Sequence, residues 1–405
     1  MIAICCKLYA RLGCGLRGIG KVFDTISEEL PFLLGEAPSH TTIADWIRVY
    51  GLALYSQACK EIAGMRYAII VDESITIGSQ KLLLVLGVPA EHLERPLQHS
   101  DVRVLGIEVA SSWPACDVEL VLRNIIDTVG HEPEYVLSDN GHNLTRATRE
   151  LNLIHHRDIT HTCGCILKEV YGEDPRFLDF TQKLGKIRLQ YHLTPLAYLL
   201  PPNQRSISRF LNCFKWVEWA EKMSAVLPRL SVKEQETYAF LCDYEGLIRE
   251  LSVIMKEYKH VESIVKNKGL SWKTAIECKK HIVQTIAKSD SQSVRRVGLK
   301  LAFYLDEEAQ KFQDSDAVIN LASDVIESMF GTYKDRISPN HLYGVTSFVL
   351  FIPVHARLVN DTASKTLEVE ELFPTETLAD TRKWRDENLL TNWVARRSQI
   401  LRQAA

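Results

Sequence analysis

A chain of 405 residues, 46% of them hydrophobic, is long enough to fold as two or three domains with buried cores. Its formal charge of −3 excludes a globally basic nucleic-acid binder, so any such surface must be local, and no apolar run is long enough to span a bilayer. The ten cysteines follow no disulfide framework, and the opening "MIAICCKLYARLG" reaches Lys7 and Arg11 too soon for a signal peptide, so a reducing, cytoplasmic setting is expected.

Residues 1–63 read as helices. The stretch "GLRGIGKVFDTI" puts Leu16, Ile19, Val22 and Phe23 on one face, with Arg17 and Lys21 on another. "PSHTTIADWIRVYGLALYSQ" opens with a cap-like Pro-Ser ahead of Ile43, Trp46, Ile47 and Tyr50. Two short helices, a turn and a third helix suit a helix-turn-helix DNA reader, with Arg17 and Lys21 as its candidate contacts. A small helical bundle would give the same pattern.

The pattern then changes to strands and helices, and residues 64–166 read as an α/β core. Strands are expected at 67–71, 82–88 and 102–109, a helix at 117–128, a strand at 135–137 running out to Asp139, and a possible fifth strand within 154–159. Two of these strands end on a carboxylate. Asp72 closes the run in "RYAIIVDESI", and Asp139 closes the one in "EPEYVLSDNGHNLTRA". Asp and Asn before Gly commonly make turns, which accounts for Asp139 alone. The repetition at Asp72 raises the question of a shared metal. Glu73, the next residue, points away from Asp72 by strand alternation and is expected at the solvent or the core edge.

Residues 167–311 show no convincing strand and read as an all-helical insertion. In "SRFLNCFKWVEWAEKMSAVL", Phe210, Leu211, Phe214, Val217 and Trp219 recur at helical spacing, with Arg205, Arg209 and Lys215 close by. Residues 256–300 carry eleven Lys and Arg against four acidic residues, either a local nucleic-acid surface or a solvated helix face. Just before the insertion, "IHHRDITHTCGCILKEV" crowds His155, His156, His161, Cys163 and Cys165. Zinc would need four convergent ligands, and no second Cys pair stands nearby. His161 could instead meet a phosphate or sit satisfied in a core.

In residues 312–405, "DAVINLASDVIESMFGTYKDR" reads as a helix up to Gly331. Glu327 and Lys334 are two turns apart, roughly 10 Å along one face, where a carboxylate and an ammonium could hold a metal and a phosphate of one substrate. Unconnected charges on a surface helix are the plainer alternative. Asp324, one turn before Glu327, competes for the same role.

Asp at the end of the first strand, Asp after the fourth and Glu on a late helix: this order resembles the DDE triad of ribonuclease H-like transposases of bacterial insertion sequences. The resemblance extends to the helical N-terminus, the "SDNGHNL" turn, the helical insertion and the Glu327-to-Lys334 spacing. It departs at Asn320 and Ser323, where a Tyr and an Arg would be expected. It implies a ribonuclease H-like mixed sheet interrupted by the insertion, with Asp72, Asp139 and Glu327 as catalytic ligands of Mg²⁺, or of Mn²⁺ in its place. Two hard divalent ions held by carboxylates can activate the attacking oxygen and stabilise the leaving one in a displacement at phosphorus. Lys334, Arg205 and Arg209 would contact DNA, and Trp219 would stack on an unpaired base unless it packs in a core. The partners implied are double-stranded DNA, as transposon ends and target, and further copies of the chain in a homodimer or larger synaptic complex associated with the bacterial nucleoid. The expected activity is end binding, metal-dependent cleavage and strand transfer. The alternatives are a domesticated or regulatory DNA-binding protein that no longer cuts, and a ribonuclease H-like nuclease without strand transfer.

Overall fold

The run Tyr67, Ala68, Ile69, Ile70 and Val71 is fully buried at the centre of a five-stranded sheet, where β-branched and aromatic side chains pack well on a pleated surface covered from both sides. Each large member contributes about 1.5–3 kcal/mol through burial. In the computed structural model, residues 1–30, 36–74, 76–203, 210, 212–337, 340–359, 366–391 and 393–403 are described. Backbone proximity divides the chain into one unit of Met1–His156 with Ser323–Ala405 and another of Arg157–Ala322.

The first unit begins with helices α1 (Ile2–Leu12), α2 (Leu16–Glu29) and α3 (His40–Ile62). Ser39 caps α3 by accepting the Thr42 N–H at 3.1 Å, the cap legible in the sequence. Strands β1 (Tyr67–Glu73), β2 (Lys81–Pro89) and β3 (Arg103–Ala110) follow, then α4 (Ala115–Val129), β4 (Val136–Ser138), α5 (His142–Glu150) and β5 (His155–Arg157). The strand order is β3-β2-β1-β4-β5. β1 pairs antiparallel with β2 from Tyr67↔Pro89 to Glu73↔Leu83, and parallel with β4 at Ile69↔Val136 and Ile70↔Leu137. The protein is therefore mixed α/β with a mixed sheet, and the fifth strand is formed.

One sheet face carries Tyr67, Ile69 and Val71 of β1, packed with Val118, Leu122 and Ile125 of α4, Leu144 and Ala147 of α5, and Ala58 and Ile62 from the end of α3. Period-2 alternation sends Ala68, Ile70 and Asp72 to the opposite face.

The second unit holds helices α6 (Ile159–Tyr171), α7 (Pro175–Tyr191), α8 (Cys213–Val226), α9 (Val232–Tyr238), α10 (Glu245–Lys268), α11 (Trp272–Gln284) and α12 (Gln292–Ala309). Among the described residues it contains no helix-independent pairing beyond one bridge between Leu270 and Ile319. The chain then re-enters the first unit with α13 (Asp324–Arg336), α14 (Phe351–Leu358), α15 (Thr366–Leu372), α16 (Leu378–Asn388) and α17 (Trp393–Gln403).

Three expectations need correction. The late helix starts at Asp324, eight residues after Asp316, because Ile319 is drawn into its bridge with Leu270. It also continues through Gly331, which is exposed and costs the helix only its usual backbone entropy. Val22, expected on the buried face of α2, is 45% exposed. Helix α3 is 23 residues long and buries Val49, Tyr50, Leu52, Ala53 and Leu54 in near succession, all round the cylinder. Ile43, Ile47, Tyr50 and Leu54 share a core with α1, α2, Phe351, Val354 and Leu358 of α14. α3 thus links that helical core to the sheet.

Candidate metal centre

The parallel register between β1 and β4 fixes the relation of the two strand-end aspartates. Ile70 is the partner of Leu137, and Asp72 and Asp139 each stand two residues further on. Equal offsets on neighbouring parallel strands put both residues at the same end of the sheet and, by alternation, on the same face. Adjacent strands lie about 4.8 Å apart, so this is a spacing that a shared cation can bridge. Both aspartates are partly exposed.

Asp139 is held by its own turn. Its Oδ1 accepts the Gly141 N–H at 2.7 Å, and a Cβ at position 141 would lie 2.6 Å from that oxygen. A larger residue at 141 would require the Asp139 carboxylate to shift. Helix α5 starts immediately afterwards with Gly141 at its N-cap, so its N-terminal dipole favours negative charge at this strand end. Behind Asp139, the Ser138 hydroxyl meets His155 Nε2 at 2.8 Å and donates to the Asp139 carbonyl at 3.0 Å, tying β4 to β5. The sequence places His155 among possible zinc ligands. Its neighbour His156 is buried against Tyr135, ring centroids 5.2 Å apart, and alternation on β5 sends the two imidazoles to opposite faces.

At the end of β1, Glu73 is engaged by Lys81 at 3.0 Å across the β1–β2 pair, in keeping with its pointing away from Asp72. Helix α13 packs against β1, yet none of its buried residues, Val325, Ile326, Met329, Phe330 and Tyr333, belongs to the core on the α4 and α5 face. It therefore meets β1 from outside that core. Glu327 and Asp324 are both exposed in its first turn, and Lys334 is half-buried in its last, with Nζ 5.6 Å from the Phe330 ring.

Arg336, unnoticed in the sequence, anchors the far end of this helix. Its guanidinium lies 4.6 Å from the Tyr9 ring and 5.7 Å from that of Phe351, cation–π contacts that join α13 to α1 and α14. No local signal reveals this pairing, because Tyr9 and Arg336 lie near opposite ends of the sequence. Among the described residues, no group of three or more His, Cys, Asp and Glu side chains is gathered into a ready metal cage.

The remaining candidates are dispersed. Arg17 and Lys21 are exposed on α2. Trp219 is half-buried, donates its indole N–H to the Leu199 carbonyl at 3.1 Å and meets Tyr238 edge-on, while Trp216 is fully buried. Arg205 and Arg209 lie outside the described residues. None of the ten cysteines is in a disulfide, and among the described residues no helix is long and apolar enough to cross a membrane. No protein-family model matches the chain, and no curated protein matches it.

Proposed function

We propose that this protein is a DNA transposase with a ribonuclease H-like core, in which Asp72, Asp139 and Glu327 bind divalent metal and DNA is cleaved and joined. The observation that carries the reading is the matched offset of Asp72 and Asp139 beyond the Ile70–Leu137 pair, with α13 packed against β1.

The donor chemistry fits the ion. Asp72, Asp139 and Glu327 offer only hard carboxylate oxygens, the ligands Mg²⁺ and Mn²⁺ prefer, and strand ends hold such groups more rigidly than loops do. Three carboxylates directed at one place repel one another, and a divalent cation offsets that repulsion. When bound, the metal supplies Lewis-acid activation at a phosphodiester. The protein's own part is to hold Asp139 through the Gly141 N–H and to steady β4 through Ser138 and His155. It also fixes the axis of α13 through Arg336 and directs Glu73 away into its pair with Lys81. Lys334, two turns beyond Glu327, adds a cation for a DNA phosphate.

The DNA expected as substrate is duplex bearing the element's ends, with Arg17 and Lys21 on the exposed face of α2 contributing to its capture. Synapsis of two ends would require at least two copies of the chain. The test uses duplex carrying the inverted repeats that flank the gene. With Mg²⁺ the wild-type protein should nick at the repeat boundary. Asp139→Asn should still bind these ends yet fail to cut. Cleavage by Asp139→Asn at the wild-type rate would end the proposal.

A further inference from the structure

Of the eleven cations of residues 256–300, five are held by carboxylates and two of the others face one groove. Lys259, Lys266, Lys268, Lys279 and Lys300 are taken up in ion pairs with Glu218, Glu262, Glu277, Asp306 and Glu169. Lys273 and Lys280 are exposed and in no ion pair among the described residues.

These two lysines line a groove of about 620 Å³ with Ile276, Glu277, His281 and Gln284. The positions recur at intervals of three and four, so the groove follows a single face of α11. Its one acid, Glu277, is already engaged by Lys268 at 3.0 Å. His281 is oriented from beneath: its Nδ1 lies 2.7 and 2.8 Å from the two carboxylate oxygens of Glu257, which is only 4% exposed. That leaves Nε2 as the ring nitrogen available to a ligand. The His260 ring lies against His281, with centroids 4.0 Å apart and planes tilted by 33°.

We propose that this groove binds the sugar–phosphate backbone of nucleic acid, with Lys273 and Lys280 meeting phosphates and His281 Nε2 making a positioned polar contact between them. The assignment rests on the reading that the chain acts on DNA, and charge complementarity selects the occupant. Two unpaired ammonium groups stand about 10 Å apart along the helix axis, over which one strand of a duplex carries about three charges at about 3.4 Å each. Gln284 extends the line with an amide, and Ile276 supplies an apolar floor for a sugar face. Lys279, on the same helix, belongs to the ion pair with Asp306 and not to the groove.

The experiment follows binding of the full chain to a duplex of about 20 base pairs by fluorescence anisotropy across a salt series. Lys273→Gln with Lys280→Gln should weaken binding at least about tenfold and reduce the slope of log K against log salt by about 2, close to 0.9 for each phosphate no longer neutralised. His281→Asn should weaken binding with a smaller change in slope. Lys259→Gln with Lys300→Gln, which removes two paired cations elsewhere in the unit, should leave the slope as in the wild type. An unchanged slope in the Lys273 and Lys280 variant overturns the groove assignment, as does an equal fall in the Lys259 and Lys300 variant. No binding by the wild-type protein overturns it too. An oligo-glutamate peptide that binds more tightly than duplex, and loses affinity in the Lys273 and Lys280 variant, would assign the groove to an acidic protein partner instead. The transposase reading fails separately: a wild-type protein that binds through this groove and never cuts with Mg²⁺ refutes the cleavage site and leaves the groove standing.

Discussion

Arg157 meets Glu308 through a 2.6 Å ion pair that spans 151 residues and joins the first and last parts of the helical unit. Glu308 is fully buried and also receives Lys311 at 2.7 Å, while Arg157 reaches Glu307 at 2.6 Å and lies over the Tyr304 ring. Removing the shared carboxylate takes a buried counter-charge from both cations. Glu308→Ala should therefore cost roughly 3–5 kcal/mol of stability, read as a lower midpoint in urea unfolding. A Glu308→Ala protein with the wild-type midpoint would show that the cluster contributes nothing.

Gly51 sets the approach of α3 to the segment before α14. A Cβ there would fall 2.0 Å from the Leu350 carbonyl oxygen and 2.8 Å from its carbon, and backbone cannot yield as a flexible side chain does. Gly51→Ala should destabilise the first unit by at least about 1–3 kcal/mol, despite alanine's better helix propensity. Thermal unfolding provides the check, and a variant more stable than the wild type would refute this packing.

Acid should weaken the same unit through the buried His355 and its half-buried neighbour His99. Burial, and then the neighbouring His99, push the His355 imidazole down from its ordinary 6.5 to about 4, and burial lowers His99 as well. The two rings lie 4.9 Å apart, with Phe351 against His355 and Arg336 adding a further unfavourable charge. Above pH 6.5 the His355 ring is neutral in the folded and unfolded chain alike, so its full contribution is present. Between pH 6.5 and 4 the unfolded chain takes up a proton that the folded one refuses, and stability falls by roughly 3 kcal/mol across that window. His355→Phe should flatten this limb in unfolding measured from pH 7 to pH 4. An unaltered limb would place the acid sensitivity elsewhere.

Much of the sheet was legible because its signals are local. "YAIIV" and "KLLLVLGV" are apolar, bounded by polar residues and too short for buried helices, and Asp72 and Asp139 stand out where such runs stop. Gly141 was legible as a turn residue, and its close approach to Asp139 supplies the physical reason. The start of α13 was hidden. "DAVINLAS" has helix-compatible composition, and only the bridge between Ile319 and Leu270, distant in sequence, makes it a connector. The contact of Arg336 with Tyr9 and the Ser138–His155 link were hidden for the same reason, since periodicity reports which face is apolar and not what will cover it. The helices of residues 1–63 were legible one by one, whereas the burial of α3 on nearly every side depends on α14 and the sheet. In the basic stretch, composition counts charges without showing which ones carboxylates already hold.

The central claim is that Asp72, Asp139 and Glu327 hold one divalent-metal site, and Mn²⁺ binding followed by electron paramagnetic resonance tests it without requiring a DNA substrate. Titrating the full chain should reveal Mn²⁺ bound by the wild-type protein and displaced by excess Mg²⁺. Asp72→Asn, Asp139→Asn and Glu327→Gln should each weaken this binding at least about tenfold, or about 1.4 kcal/mol, while Asp324→Asn and Glu73→Gln leave it nearly unchanged. Wild-type Mn²⁺ affinity in Asp72→Asn and Asp139→Asn, or a loss confined to Asp324→Asn, would contradict the assignment.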